Sequence, residues 1–295
     1  MSYGKDRSKL YIGILIGFIL LLAAAVIFVL LIQPALYEDE CRTRVYEDIE
    51  GRLLEYDVMS ANICVVKCDE TEENGNVKHL SYSLGSSGII YKKEQAGKYY
   101  ALTACHVVAD ARRNTRFLIQ PYGTLSYRQT KENGRSLSLE EYYAQFPSAN
   151  VEYCDESCDL AVISFYSPSK LGVLDIAQSD AQKDTKIAVI SNPEGEKFIR
   201  TFGCITSDSP VIFSGNDGKS ANTTIQHNAY VAPGSSGSGV LSFDSGKAEI
   251  VGINIGGGTN FMGKFQYGVM IPCHQISNFL EKMIAEQRGH SKVYR

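Results

Sequence analysis

The sequence predicts an all-β domain, a barrel or sandwich, carried behind one membrane-spanning helix and closed by a C-terminal helix. Three observations predict it. Short strand-like runs recur from Ile63 onward, Leu10 to Ile32 is an unbroken apolar run, and residues 274–287 carry one apolar helical face. With 295 residues, 44% hydrophobic and 21% charged, the chain has room for a sizeable core and is not of disordered composition. The net charge of −4 and the lack of a basic stripe with interleaved aromatics exclude nucleic acid as an expected partner.

The apolar run comes first. LYIGILIGFILLLAAAVIFVLLI would span roughly 34 Å as a helix, at about 1.5 Å per residue, which is enough to cross a bilayer. A cleavable signal peptide has an apolar region of about 7–15 residues and a small-residue cleavage site, and Gln33-Pro34-Ala35-Leu36 is no such site. Lys5, Arg7 and Lys9 precede the run, while Glu38, Asp39 and Glu40 follow it. The positive-inside rule then places residues 1–9 in the cytoplasm, residues 10–32 in the cell membrane as a single span, and the remainder outside. Lipid is thus an expected partner of residues 10–32.

Residues 33–60 read as a stalk. Val45, Ile49, Leu53 and Leu54 recur at roughly helical spacing in a charged segment. Beyond it come ICVVKC, GIIYKK, KYYALTA, RFLIQPY, NVEYC, LAVISF, KIAVIS, FIRTFGCI, TTIQH, AEIVGINI and QYGVMIP, separated by Gly, Asn, Asp and Pro. That spacing argues for antiparallel β-structure rather than βαβ units. Residues 124–149 are polar and read as a long surface insertion. Ile276, Phe279, Leu280 and Met283 line one face of the expected terminal helix.

Eight cysteines stand at 41, 64, 68, 105, 154, 158, 204 and 273, with no CxxC pair. Structural zinc sites favour tighter pairs with a matching half, so no metal is expected. An even count outside the membrane permits disulfides without revealing connectivity.

Two isolated features and one run carry the chemistry. His106 falls at the end of a strand in YYALTACHVV, and Asp159 opens an apolar strand 53 residues later, in CDLAVISF. A further 77 residues on lies Ser236, inside APGSSGSGVL, where seven consecutive residues from Pro233 to Gly239 are Pro, Gly or Ser. That composition suits a linker, yet strand-like runs flank it on both sides and no domain boundary is apparent.

In that order, TACH, DLAVI and GSSGS resemble the trypsin-like serine peptidases of chymotrypsin fold, with Deg/HtrA peptidases and glutamyl endopeptidases as the branches most similar. The resemblance covers about residues 60–287. It implies two six-stranded antiparallel β-barrels within a peptidase domain at 61–288: barrel one about 61–180, barrel two about 181–273, then the helix 274–288. It also implies peptide-bond hydrolysis through an acyl-enzyme, on protein or peptide substrates, without metal or cofactor. Ser236 would be the nucleophile, His106 its base and Asp159 the group that orients His106. Gly234 and Ser236 would supply the oxyanion N–H groups, and small residues keep such a loop tight. Ser235 and Ser238 are chemical rivals, but only Ser236 has Gly two before and Gly one after. The alternative class is a catalytically silent binding or sensor module on the same scaffold.

The chain departs from the family pattern in places. Ser235 replaces the Asp that pairs with a newly cut amine, so activation by propeptide cleavage is not expected. Tyr230 stands where trypsins place an acidic pocket base, and Asn254 where glutamyl endopeptidases carry His. Together they imply a preference for small aliphatic residues before the cut. Cys105, beside His106, reads as a buried thiol or half of a disulfide. No PDZ module is expected, since only Arg288 to Arg295 follow the helix.

Overall fold

The computed structural model describes residues 3–73, 76–109, 115–195, 197–214 and 221–293. Residues 1 and 2 of the expected cytoplasmic end, and 294–295, lie outside them. A helix runs without interruption through the apolar segment, as α1 (Tyr3–Ile27), a π-helical turn at Phe28–Ile32, and α2 (Gln33–Thr43). The widened turn has a local cause. Pro34 has no N–H to donate to the preceding turn and its ring crowds the carbonyl there, and a π-turn relieves both. Every side chain from Leu10 to Ile32 is exposed, as a lipid-facing helix requires.

The stalk does not stand free. After α2, two short helices, α3 (Glu47–Leu53) and α4 (Tyr56–Ser60), lie against the β-structure. Cys41, Ile49, Leu53, Val58 and Met59 are all buried, whereas Val45 and Leu54 are exposed. Ile49 and Leu53 share the buried face that their helical spacing predicts. Their apolar face, however, needed a partner, and the domain supplies it.

Six strands close the first barrel in the order β1-β2-β3-β6-β5-β4. They are β1 (Asn62–Glu73), β2 (Asn76–Lys93), β3 (Lys98–Ala104), β4 (Thr115–Pro121), β5 (Ser148–Asp155) and β6 (Leu160–Tyr166). The insertion between β4 and β5 forms α6 (Tyr127–Glu132) and α7 (Leu139–Tyr143), after α5 (Cys105–Val108). Both insertion helices are N-capped by serine capping boxes, and Tyr142 and Tyr143 are buried against the barrel.

The second unit contains β7 (Asp175–Ile176), β8 (Lys186–Ser191), β9 (Ile199–Cys204), β10 (Val211–Ser214), β11 (Ala221–His227), β12 (Gly239–Ser242), β13 (Glu249–Thr259) and β14 (Phe265–Pro272). They form an eight-stranded sheet ordered β10-β11-β14-β13-β12-β8-β9, with β7 parallel to β13. Where a closed six-stranded barrel was expected, β9 returns to β11 through the single Ile205–His227 bridge. The Asn228 and Thr206 N–H groups add bonds to the Cys204 and Gln226 carbonyls on either side. α8 (Cys273–Val293) then packs Ile276, Phe279 and Met283 inward.

Strand periodicity explains how a single strand serves two cores at once. In β6, Ala161, Ile163 and Phe165 point into barrel one, while Leu160 and Val162 join a core shared with the second sheet and α8. In β8, Ala188 and Ile190 join that shared core, and Ile187 and Val189 fill the interior of the second unit. A strand covered on both faces must be apolar at nearly every position, which is why LAVISF, with the hydrogen-bonded Ser164 as its one polar residue, and the IAVI of KIAVIS read as near-continuous apolar runs.

Candidate active site

The β3–β6 register pairs Ala104 with Leu160, so the residues just beyond both strand ends meet. The Cys105 N–H donates to the Asp159 carbonyl at 3.1 Å. The His106 N–H donates to Asp159 Oδ1 at 2.9 Å, and His106 Nδ1 lies 2.8 Å from Asp159 Oδ2. Asp159 thereby holds His106 by backbone and ring together, and it is itself buried. Its φ of 52° lies in the left-handed region, which Asp tolerates better than most residues. The neighbouring Cys105 is half of a disulfide with Cys154, which ties α5 to β5.

The small-residue run lies between β11 and β12, against barrel one. Gly234 and Gly237 have φ of 103° and 85°. A Cβ on Gly234 would stand 2.2 Å from the Asn192 carbonyl oxygen, and one on Gly237 equally close to that of Ser87. No larger residue fits either place. Ser87, from the GSSG segment of β2, organises the loop: its N–H donates to the Ser236 carbonyl at 2.9 Å and its hydroxyl to the Gly234 carbonyl at 2.8 Å. The Asn192 N–H and Nδ2 both donate to the Ser87 hydroxyl. Asn192 carries no local sequence signature, because its contacts lie across both β-units.

The three serines differ sharply. Ser235 is buried, its Oγ 3.0 Å from Ser191 Oγ and accepting from the Ala232 N–H. Ser238 is buried and donates its hydroxyl to the Ser235 carbonyl at 2.7 Å. Ser236 is partly exposed and lines, with His106 and Asp159, a cleft of about 880 Å³. Among the described residues, neither the Gly234 nor the Ser236 N–H donates a hydrogen bond within the protein.

The two expected pocket residues part company. Asn254 lines the cleft. Tyr230 does not: it is buried, with the Arg42 guanidinium 3.8 Å from its ring centroid, the Phe265 ring edge-on, and its hydroxyl accepting from Arg42. That cation comes from α2, 188 residues away in sequence, so no reading of the loop could foresee it. The cleft floor is made instead by Val231, Ile255, Phe265, Tyr267 and the glycines 256–258. Asn222, the acceptor of an Asn-Thr-Thr glycosylation sequon, is also buried in the cleft wall.

Below the cleft lies His227, in TTIQHNAYV, a stretch with no local motif to single it out. It is fully buried, with Nε2 3.3 Å from Asn254 Oδ1. Asn254 Nδ2 donates to the Ser235 carbonyl, so Oδ1 is the acceptor and His227 carries its proton on Nε2. Burial pushes His227 down to about 4, against the hydrogen bond with Asn254, which holds it up. The ring is therefore neutral at physiological pH.

Residues 86–253 match the trypsin-like peptidase domain family. Over 172 residues the chain is 29% identical to the serine protease Do-like HtrA of Bacillus subtilis (strain 168), covering 57% of this chain and 32% of that protein. The chain thus aligns with about a third of that relative's length. In fold it is similar to the inactive form of Rv3671c from M. tuberculosis H37Rv (TM-score 0.54, 16% identity), over 83% of this chain and 97% of that one. The active form of the Rv3671c protease gives the same TM-score at 14% identity, over 76% and 82%. With more than half its length matched, the chain belongs to the trypsin-like peptidase domain family.

Proposed function

We propose that the chain is a serine endopeptidase, held outside a membrane by its N-terminal helix, in which Ser236, His106 and Asp159 form the catalytic triad. The observation that carries this reading is one cleft lined by the bonded His106–Asp159 pair and by the single loop serine whose hydroxyl is open to it. Asp159 accepts from Nδ1–H, leaving Nε2 to take the Ser236 proton as its oxygen attacks the scissile carbonyl. The carboxylate offsets the imidazolium that forms. The free N–H groups of Gly234 and Ser236 receive the oxyanion, a contribution of roughly 3–4 kcal/mol for each such donor in measured cases. The protonated His106 then protonates the leaving amine, and water releases the acyl group by the reverse sequence.

Several features support the membrane and specificity parts. The exposed apolar helix of α1, continued by the π-turn, has the length and composition of a bilayer span. Asn254 and the glycines after it belong to β13, whose cleft-side stretch would receive substrate as an added strand. Apart from His106 and Asp159, no ionisable acidic or basic side chain lines the cleft among the described residues, which favours a small apolar residue before the cut.

The test is labelling of the full chain in detergent with a fluorophosphonate probe. Ser236→Ala should abolish labelling and peptide cleavage, while Ser238→Ala leaves the nucleophile in place. Labelling that survives in Ser236→Ala would overturn the assignment.

A further inference from the structure

The described helix leaves no flexible spacer between the apolar span and the domain. α2 continues directly from the π-turn and locks onto the β13–β14 hairpin. The Tyr37 hydroxyl donates to the Gln266 carbonyl at 3.1 Å, and the Phe265 N–H donates to Glu38 Oε2 at 2.8 Å. The Lys264 ammonium lies 3.7 Å from Glu38 Oε1, and Cys41 is fully buried in the core that contains Phe265. Further along the helix the contacts move on to Tyr230 and then, through Arg44, to the Asn228 carbonyl. Glu38 lies six residues past Ile32, roughly 9 Å along a helix axis. The β13–β14 hairpin is therefore the part of the domain that α2 meets first on leaving the apolar span.

The tip of this hairpin is built to present apolar side chains. The Asn260 N–H donates to the Lys264 carbonyl at 2.8 Å, and Gly263 N–H to the Asn260 carbonyl at 2.9 Å. Asn260 Oδ1 accepts from the N–H groups of both Met262 and Lys264. On this braced turn Phe261 is 76% exposed and Met262 48%, with Leu36 exposed on the adjoining helix. Single exposed apolar residues are ordinary; adjacent ones fixed beside the end of a membrane span are placed where the solvent is no longer water.

We propose that the turn 260–263 rests in the interfacial layer of the bilayer, with Phe261 and Met262 buried among headgroups and upper acyl chains as a second foot beside the helix. The proposal rests on the membrane-anchor reading above. It also specifies the setting of the cleft. Gly256, Gly257, Gly258, Thr259 and Tyr267 of the same hairpin line it, so the cleft opens at the membrane surface, toward polypeptide segments that run close to lipid.

The absence of tryptophan from the chain makes the test clean, because a single introduced indole is the only one that emits. The full chain is reconstituted in phosphatidylcholine–phosphatidylglycerol vesicles with and without brominated acyl chains. Leu20→Trp reports the span, Phe261→Trp and Met262→Trp report the tip, and Tyr166→Trp, at an exposed site on barrel one, reports water. The expected result is strong loss of emission for Leu20→Trp, an intermediate loss with a blue shift for the tip variants, and none for Tyr166→Trp. If Leu20→Trp is quenched while both tip variants behave like Tyr166→Trp, the tip proposal fails and the anchor stands. If Leu20→Trp is not quenched, the anchor reading fails and the proposal falls with it. A blue shift at the tip without lipid quenching means that protein covers it, and this too overturns the proposal.

Discussion

His227 makes the stability of this protein sensitive to acid, and the size of the effect follows from its burial. The ring titrates near 6.5 in an unfolded chain and near 4 in the folded one. Because the folded value is the lower, the unfolded state binds the proton first. The stability is intact above about pH 6.5 and is lost progressively as pH falls toward 4. For that pair of values the linkage relation gives a loss of about 2 kcal/mol between pH 7.5 and pH 5, and about 3 kcal/mol at pH 4. The perturbation is His227→Gln, which keeps an N–H donor for Asn254 Oδ1 but cannot titrate. Urea unfolding of both proteins at pH 7.5 and pH 5 isolates the histidine, because every other titrating group cancels in the difference of differences. The expected outcome is that the parent loses about 2 kcal/mol more than the variant, read as an additional midpoint shift of roughly 0.7–1 M. If both proteins lose stability equally, His227 is not held neutral by burial and the argument is wrong.

Other consequences are equally direct. Arg42→Ala removes the cation from the face of Tyr230 and leaves a buried hydroxyl without that partner; unfolding by denaturant should show a loss of about 1–2 kcal/mol, and an unchanged midpoint would mean that α2 is not docked. Replacing Cys105 and Cys154 together with Ser opens a 49-residue separation, for which the chain-entropy relation gives up to about 4 kcal/mol; equal thermal stability of the two forms would refute a structural role for the bridge. A peptide-library profile should show small aliphatic residues before the cut, and dominant cleavage after Arg, Lys or Glu would refute the apolar lining as the source of selectivity.

Short-range patterns account for the part of this protein that is legible in its residues alone. A 23-residue apolar run has the length and composition of a bilayer span. Short apolar runs punctuated by Gly, Asn, Asp and Pro marked the strands, and the structure shows that LAVISF among them is buried on both faces. The order of His106, Asp159 and the small-residue loop was enough to name the family, because each element's chemistry is local. Tertiary structure alone decided everything that depended on which distant groups met. Ser236 is separated from Ser235 and Ser238 by hydrogen bonds that only the closed loop makes. Tyr230 left the expected pocket because Arg42 lies over its ring, and Cys105 found Cys154 across two strands. His227 became a buried neutral group only when β11 packed beneath Asn254. The docking of α2, which turns an expected stalk into part of the domain, is of the same kind. Such pairings span tens to hundreds of residues and are set by barrel closure and strand register, for which a local sequence pattern carries no signal.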